Sequence, residues 1–189
     1  PIEKREYDNI LEAVAEMRQL VILGDPGSGK TSSLWRIAVE YAQRAKADAA
    51  QPIPIFIRLG ELGTSKTVAA QIKTALGELG EHFDALLTEN RVALLFDGLN
   101  ELPTDGRMEN VTHVKWLIER AQRDEGIAIV TCRELDYVRV LDMVIPQRIV
   151  IMPLDPLRIR QFANAYIKEP AGRGDALFWE LAGQDAQNY

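Results

Sequence analysis

Gly24-Asp25-Pro26-Gly27-Ser28-Gly29-Lys30-Thr31 decides how this chain is read. An apolar run, Leu20-Val21-Ile22-Leu23, leads into it, and a long amphipathic stretch follows. The pattern is G-x-x-x-x-G-K-S/T between a strand and a helix, the setting in which it cradles phosphate. Glycines let successive backbone N–H groups turn inward with no Cβ in the way. A helix opening near Gly29 aims its unpaired N–H groups and positive dipole end at the same point. Lys30 adds a cation for the β- and γ-phosphates, and the Thr31 hydroxyl can ligate Mg²⁺. A plain glycine turn with a solvated lysine is the competing reading, and the complete pattern in this setting disfavours it. The expected binding set is Gly24, Asp25, Pro26, Gly27, Ser28, Gly29, Lys30, Thr31 and Ser32. The expected ligands are Mg²⁺ and ATP/ADP or GTP/GDP, because no compact local motif reads the base.

The composition agrees with a globular domain and narrows little else. The 189 residues are 47% hydrophobic and 26% charged, enough for one substantial core or one domain and the start of another. A net charge of −6 argues against a nucleic-acid surface spread over this chain. Cys132 is the single cysteine, so no internal disulfide can form, which suits a reducing, cytoplasmic setting. No apolar run reaches bilayer length, and no membrane partner is expected. The chain begins at Pro1 rather than methionine, which reads as a piece of something longer.

Outward from the phosphate loop, strands and helices alternate. Tyr7, Ile10, Leu11, Val14 and Met17 predict a short amphipathic helix over 6–17, ahead of a strand at 19–24. Leu34, Ala38, Tyr41 and Ala45 predict the buried face of a helix reaching Ala47, with Trp35 and Tyr41 as core aromatics rather than base-stacking groups. Ile53 to Leu59 reads as a strand, and Pro54 confines it to a sheet edge or delays its start. Helices are expected over 66–79, weakened by Gly77, and over 82–90. Arg91 to Asp97 is apolar without alternation until its final acid, as in a strand buried on both faces. A helix through Val111, Val114, Leu117, Ile118 and Ala121 follows, then strand 127–132, a short helix 138–144 and strand 148–152. This alternation predicts right-handed crossovers and a three-layer αβα fold around a parallel five-stranded sheet. From Pro153 the pattern turns helical, with Asp155-Pro156 starting one helix and a second at about 174–183.

Three residues join the loop as candidates for chemistry. Asp97 ends the buried strand downstream of Thr31, where an acid can hold Mg²⁺ directly or through water, so Thr31 and Asp97 are the metal candidates. Glu101, four residues on, can orient or deprotonate an attacking water; a solvated loop glutamate is its plain alternative. Arg133 ends the following strand, on the same carboxyl edge, and can reach a γ-phosphate as a fixed cation, a surface ion pair being its alternative. The catalytic set is therefore Lys30, Asp97, Glu101 and Arg133. Cys132 reads as a packing residue, with no base suggested near it.

Taken together, these blocks resemble the NACHT family of signal-transducing P-loop NTPases, related to the AAA+ class. The residues that carry the likeness are Gly24–Thr31, Ile53–Leu59, Leu94–Leu102, Thr131-Cys132-Arg133, and Met152-Pro153-Leu154-Asp155 leading to Phe162 and Tyr166. It covers about residues 15–168, and D-G-L-x-E-L with T-x-R and P-L-D is its particular part. The resemblance implies an ATP- or GTP-controlled switch that self-associates when activated and is fused to effector and sensor modules. The residue pattern divides the chain into an N-terminal helix at 1–18 flanking the nucleotide site, an NTPase core at 19–152 and, at 153–189, helices that begin a lid or second module. Asn100 departs from the family, which usually carries a second aspartate there, and this puts vigorous hydrolysis in doubt.

Four functions compete on this reading. A regulatory NTPase with slow turnover leads, and a nucleotide-holding assembly module without turnover is favoured slightly by Asn100. A remodelling motor would require a hexameric ring. A small-molecule kinase is weakest, since it needs no water-activating acid beyond Asp97, and Arg158, Arg160 and Arg173 do not form an arginine-rich lid.

Overall fold

The computed structural model describes residues 5–62, 67–122, 126–137, 141–167 and 172–185. Local chemistry sets the first elements. The Asn9 side chain accepts from Leu11 N and opens helix α1, Ile10–Met17, so the helix expected from residue 6 starts four residues later. Strand β1, Gln19–Gly24, is buried throughout. Helix α2, Lys30–Ala47, buries Leu34, Ile37, Ala38 and Tyr41. Trp35 corrects the expectation of a core aromatic. It is 47% exposed, because its ring stacks on Phe56 of the next strand at 4.7 Å instead of entering the interior.

Strand β2 is Ile53–Arg58, and Pro54 indeed lies at a sheet edge, where a missing ladder donor costs nothing. Helix α3, Val68–Leu76, starts on Thr67, whose side chain accepts from Ala70 N, and stops at Gly77, where φ is 56°. That is three residues short of the expected end, and a 3₁₀ segment, Gly77–His82, takes over. Helix α4 is Phe83–Thr88, strand β3 is Val92–Asp97, helix α5 is Arg107–Gln122, and strand β4 is Ile127–Arg133. Residues 141–144 are a turn rather than the expected helix: Val144 N and Ile145 N both donate to Leu141 O, and no further turn follows. The rest of that expected helix, 138–140, lies outside the described residues. Strand β5, Arg148–Val150, is shorter than its apolar run because only three residues pair with β1.

All pairings are parallel, in the order β2-β3-β4-β1-β5. Val92, Leu94 and Phe96 face one core cluster with α3, α4 and α5; Ala93 and Leu95 face the other with α1 and α2. β3 is thus buried on both faces, as its unbroken apolar run requires. The result is a three-layer αβα fold on a parallel five-stranded sheet.

The chain divides into two compact units, the second running from Met152. Here Asp155 caps helix α6, Pro156–Tyr166, by accepting from Arg158 N at 2.8 Å. Helix α7, Arg173–Asp185, returns beside it. The Arg160 guanidinium forms a bidentate pair with Asp175 at 2.8 Å, and Asn164 Nδ2 adds a donor at 2.5 Å. These donors hold the Asp175 carboxyl well below its usual range. Arg160 is therefore committed to joining α6 and α7.

Candidate nucleotide site

The parallel sheet brings Gly24, Arg133, Asp97 and Arg58 to one edge, since Gly24 pairs with Arg133 and Asp97 with Arg58. At the end of β1 the chain folds back on itself tightly. A Cβ on Gly24 would lie 2.5 Å from Ser28 Oγ and 3.4 Å from Ile151 O, so no side chain fits there. Gly27 and Gly29 adopt φ of 78° and 95°, and a Cβ on either would meet open space. Conformation, not crowding, demands glycine at these two positions.

Gly29 starts the 18-residue α2 with no side-chain cap. Ser33 N bonds to Gly29 O, and the earlier N–H groups of the helix have no intrahelical acceptor. An uncapped N-terminus behind a left-handed glycine turn fits an anion, which would receive those N–H groups and the dipole end together. The Lys30 ammonium sits at the same place. It donates to Gly24 O at 2.9 Å and Asp25 O at 2.7 Å, closing the loop on itself.

Thr31, in the first turn of α2, reaches Asp97 although β4 separates β1 from β3. Its hydroxyl donates to Asp97 Oδ2 at 3.0 Å, with Oδ1 at 3.2 Å. A hydroxyl and a carboxylate converging beside an anion site match the small oxygen donor set Mg²⁺ takes when phosphates supply the rest. Among the described residues there is no group of three or more His, Cys, Asp or Glu able to hold a metal by themselves.

Glu101 ends a 3₁₀ turn, Leu99–Glu101, that starts from Gly98, where φ is 76°. Its exposed carboxylate lies over two glycines. A Cβ on Gly98 would come within 2.9 Å of Glu101 Cδ and Oε2, and one on Gly60 within 3.1 Å of Oε2. Gly98→Ala should therefore both strain the backbone and push Glu101 away. The left-handed φ alone costs about 1–2 kcal/mol, so thermal unfolding should fall by roughly 2–8 °C. Differential scanning calorimetry would show it, and an unchanged midpoint would mean the turn relaxes freely.

Arg133 has an exposed side chain, while its backbone N donates to Asn100 Oδ1 at 3.1 Å. Asn100 thus engages β4 main chain, a contact that its sequence context did not reveal. Cys132 is 1% exposed and its thiol is pushed up to about 11, chiefly by burial. It lines a cavity of about 50 Å³ with Leu99, Asn100, Val111 and Tyr137, too small for anything beyond water.

The sequence puts Lys30, Thr31, Asp97, Glu101 and Arg133 at one sheet edge, and the structure has all five there. The sequence carries Thr131 only as the first residue of T-x-R and gives it no role, whereas its buried hydroxyl donates to Asp97 Oδ1 at 2.7 Å and accepts from Gly98 N at 2.8 Å. A lone hydroxyl inside Ile127-Ala128-Ile129-Val130-Thr131-Cys132 was the available signal. It passed over Gly60 as well, which lies beneath Glu101 and carries no local motif.

A parallel αβα sheet with this loop at its carboxyl edge defines a P-loop NTPase-like domain. The chain belongs to the NACHT domain family, which matches residues 18–170. Nucleotide and Mg²⁺ binding are the general property of that class. The Aeropyrum pernix ORC1 protein, solved in complex with DNA, is similar in fold, with a TM-score of 0.59 over 85% of this chain and 48% of that one, at 16% identity. A chain of the Escherichia coli MS115-1 HORMA:CdnC:Trip13 complex gives a TM-score of 0.55 over 90% and 62% of the two chains, at 12% identity. The ATP-dependent RNA helicase HrpA of Escherichia coli K12 is 28% identical over 187 residues, and the chain spans 14% of that protein's length.

Proposed function

We propose that this chain is the switch domain of a larger signalling protein, binding ATP or GTP with Mg²⁺ and hydrolysing it slowly to control self-association. The observation that carries this reading is the Thr31–Asp97 contact at 3.0 Å beside the uncapped start of α2. Thr31 and Asp97 are the groups that would hold Mg²⁺, which supplies charge neutralisation at the β- and γ-phosphates.

The remaining roles fall to the chain's own residues. The loop from Gly24 to Ser32 surrounds the phosphates, with backbone N–H groups offered by its residues after Pro26, and Lys30 exchanges the Gly24 and Asp25 carbonyls for phosphate oxygens. Glu101 accepts a proton from the attacking water and orients it. Arg133 distinguishes triphosphate from diphosphate by its fixed charge. The NTPase core belongs to the first compact unit and the helices after Met152 begin a separate helical module, with effector and sensor modules outside this chain. Innate-immune or antiphage signalling in a cytoplasmic setting fits such an arrangement. No described helix is long and apolar enough to cross a membrane. Although HrpA is named an RNA helicase, the net charge of −6 argues against RNA as a ligand of this segment.

A second reading, nucleotide held without turnover, is favoured by Asn100 where the family usually has aspartate. Phosphate release from the full-length protein separates the two readings: slow release supports the switch, and bound, unhydrolysed triphosphate supports the module. Arg133→Ala should cut the preference for triphosphate over diphosphate while leaving diphosphate affinity nearly unchanged. Calorimetry with both nucleotides checks it, and equal losses would make Arg133 a general electrostatic residue.

A further inference from the structure

The β3–β4 ladder ends at Phe96 and Val130, one residue before Asp97 on one strand and three before Arg133 on the other. Past that point main-chain pairing no longer fixes the strand ends against each other. Two side-chain bonds replace it, one in each direction. Thr131 Oγ1 on β4 accepts from Gly98 N at 2.8 Å, and Asn100 Oδ1 accepts from Arg133 N at 3.1 Å.

Thr131 does more than close a gap. The residue is 1% exposed, and its hydroxyl also donates to Asp97 Oδ1 at 2.7 Å, leaving Oδ2 as the nearer oxygen to Thr31 at 3.0 Å. A carboxylate's terminal torsion is broad and roughly two-fold, so without an anchor its plane turns easily. Valine would fill the same β-branched volume with no polar atom to satisfy. The hydroxyl therefore has its place through its bonds.

We infer that Thr131 is the positioning residue of Asp97, and that with Asn100 it forms a reciprocal latch tying the chain after β3 to the end of β4 at the Arg133 main chain. The inference rests on the Mg²⁺–nucleotide reading above, since it assigns the anchored carboxylate to the cation. Thr131 itself touches neither nucleotide nor metal; it acts by fixing which carboxylate oxygen faces Thr31.

The test uses the full-length protein and the non-hydrolysable analogues of ATP and GTP, titrated with MgCl₂ and, separately, in EDTA. Thr131→Val should lower the apparent Mg²⁺ affinity of the analogue complex roughly 10–100-fold, the usual loss when a partner orienting a ligand is removed. Binding in EDTA should stay within about twofold of wild type, a split that general destabilisation would not produce. Thr131→Ser keeps the hydroxyl and should restore the Mg²⁺ response. In an Asp97→Asn background, Thr131→Val should change the Mg²⁺ response no further. If the valine variant does not fold, Thr131→Cys, with its weak S–H donor, takes its place and should give a reduced Mg²⁺ response. A folded valine or cysteine variant with the wild-type Mg²⁺ response would overturn the inference, as would a serine variant that loses it. Wild type that binds nucleotide equally in MgCl₂ and EDTA would overturn the functional reading together with this one.

Discussion

Lys30→Ala should weaken triphosphate binding by roughly 10- to 150-fold, the equivalent of about 1.5–3 kcal/mol for hydrogen bonds made by a charged donor. The ammonium already occupies the loop, donating to Gly24 O and Asp25 O, and so lies where a phosphate would take its place. Removing it deletes the only side-chain cation within the loop Gly24–Thr31. The fold should persist, because the two carbonyls that lose a partner belong to the loop, while the β1 core residues Leu20, Val21 and Ile22 are fully buried and untouched. Titration with a fluorescent nucleotide analogue, alongside circular dichroism, reads both outcomes. Unchanged affinity in a folded variant would remove the phosphate loop from the account.

The other large effect is expected at Glu101. Glu101→Gln preserves size and much of the hydrogen bonding but removes the basic carboxylate, so single-turnover hydrolysis should slow on the order of 10²-fold or more. Triphosphate should remain bound throughout. The side chain has the means to be held in place, since Gly60 and Gly98 lie against its carboxyl group and Glu101 N donates to Gly98 O at 2.8 Å. Asn100→Asp is the companion variant. An aspartate there can still accept from Arg133 N, so the latch survives while a charge is added, and turnover should rise. Hydrolysis by Glu101→Gln at the wild-type rate would reduce Glu101 to a loop residue.

These expectations depend on features of very different legibility. The loop, the edge position of the Pro54 strand and the doubly buried β3 follow from local rules: positive φ, a missing donor and an unbroken apolar run. The strand order does not. β4 comes between β1 and β3, and its pairing with β1 joins residues more than a hundred apart, as from Gln19 to Ala128, of which periodicity carries no record. The exposure of Trp35 is hidden from the sequence for a related reason, because its ring stacks on Phe56, a residue of another element. The 141–144 turn has apolar spacing compatible with a helix, but a single turn ending in Ile145-Pro146 has nothing to propagate it. Asn100 shows the limit most clearly. Its identity reads as a missing charge near a metal, whereas its observed contact is a backbone amide on the neighbouring strand.

The central claim is that Gly24–Thr31 and Asp97 form one Mg²⁺–nucleotide site. Isothermal titration of the full-length protein with ADP and a non-hydrolysable triphosphate, each with MgCl₂ and with EDTA, addresses it most directly. One saturable site is expected, with a triphosphate affinity that rises with Mg²⁺ and loses that rise in Asp97→Asn. Binding that is absent, or that is indifferent to Mg²⁺ and to Asp97→Asn, would contradict it.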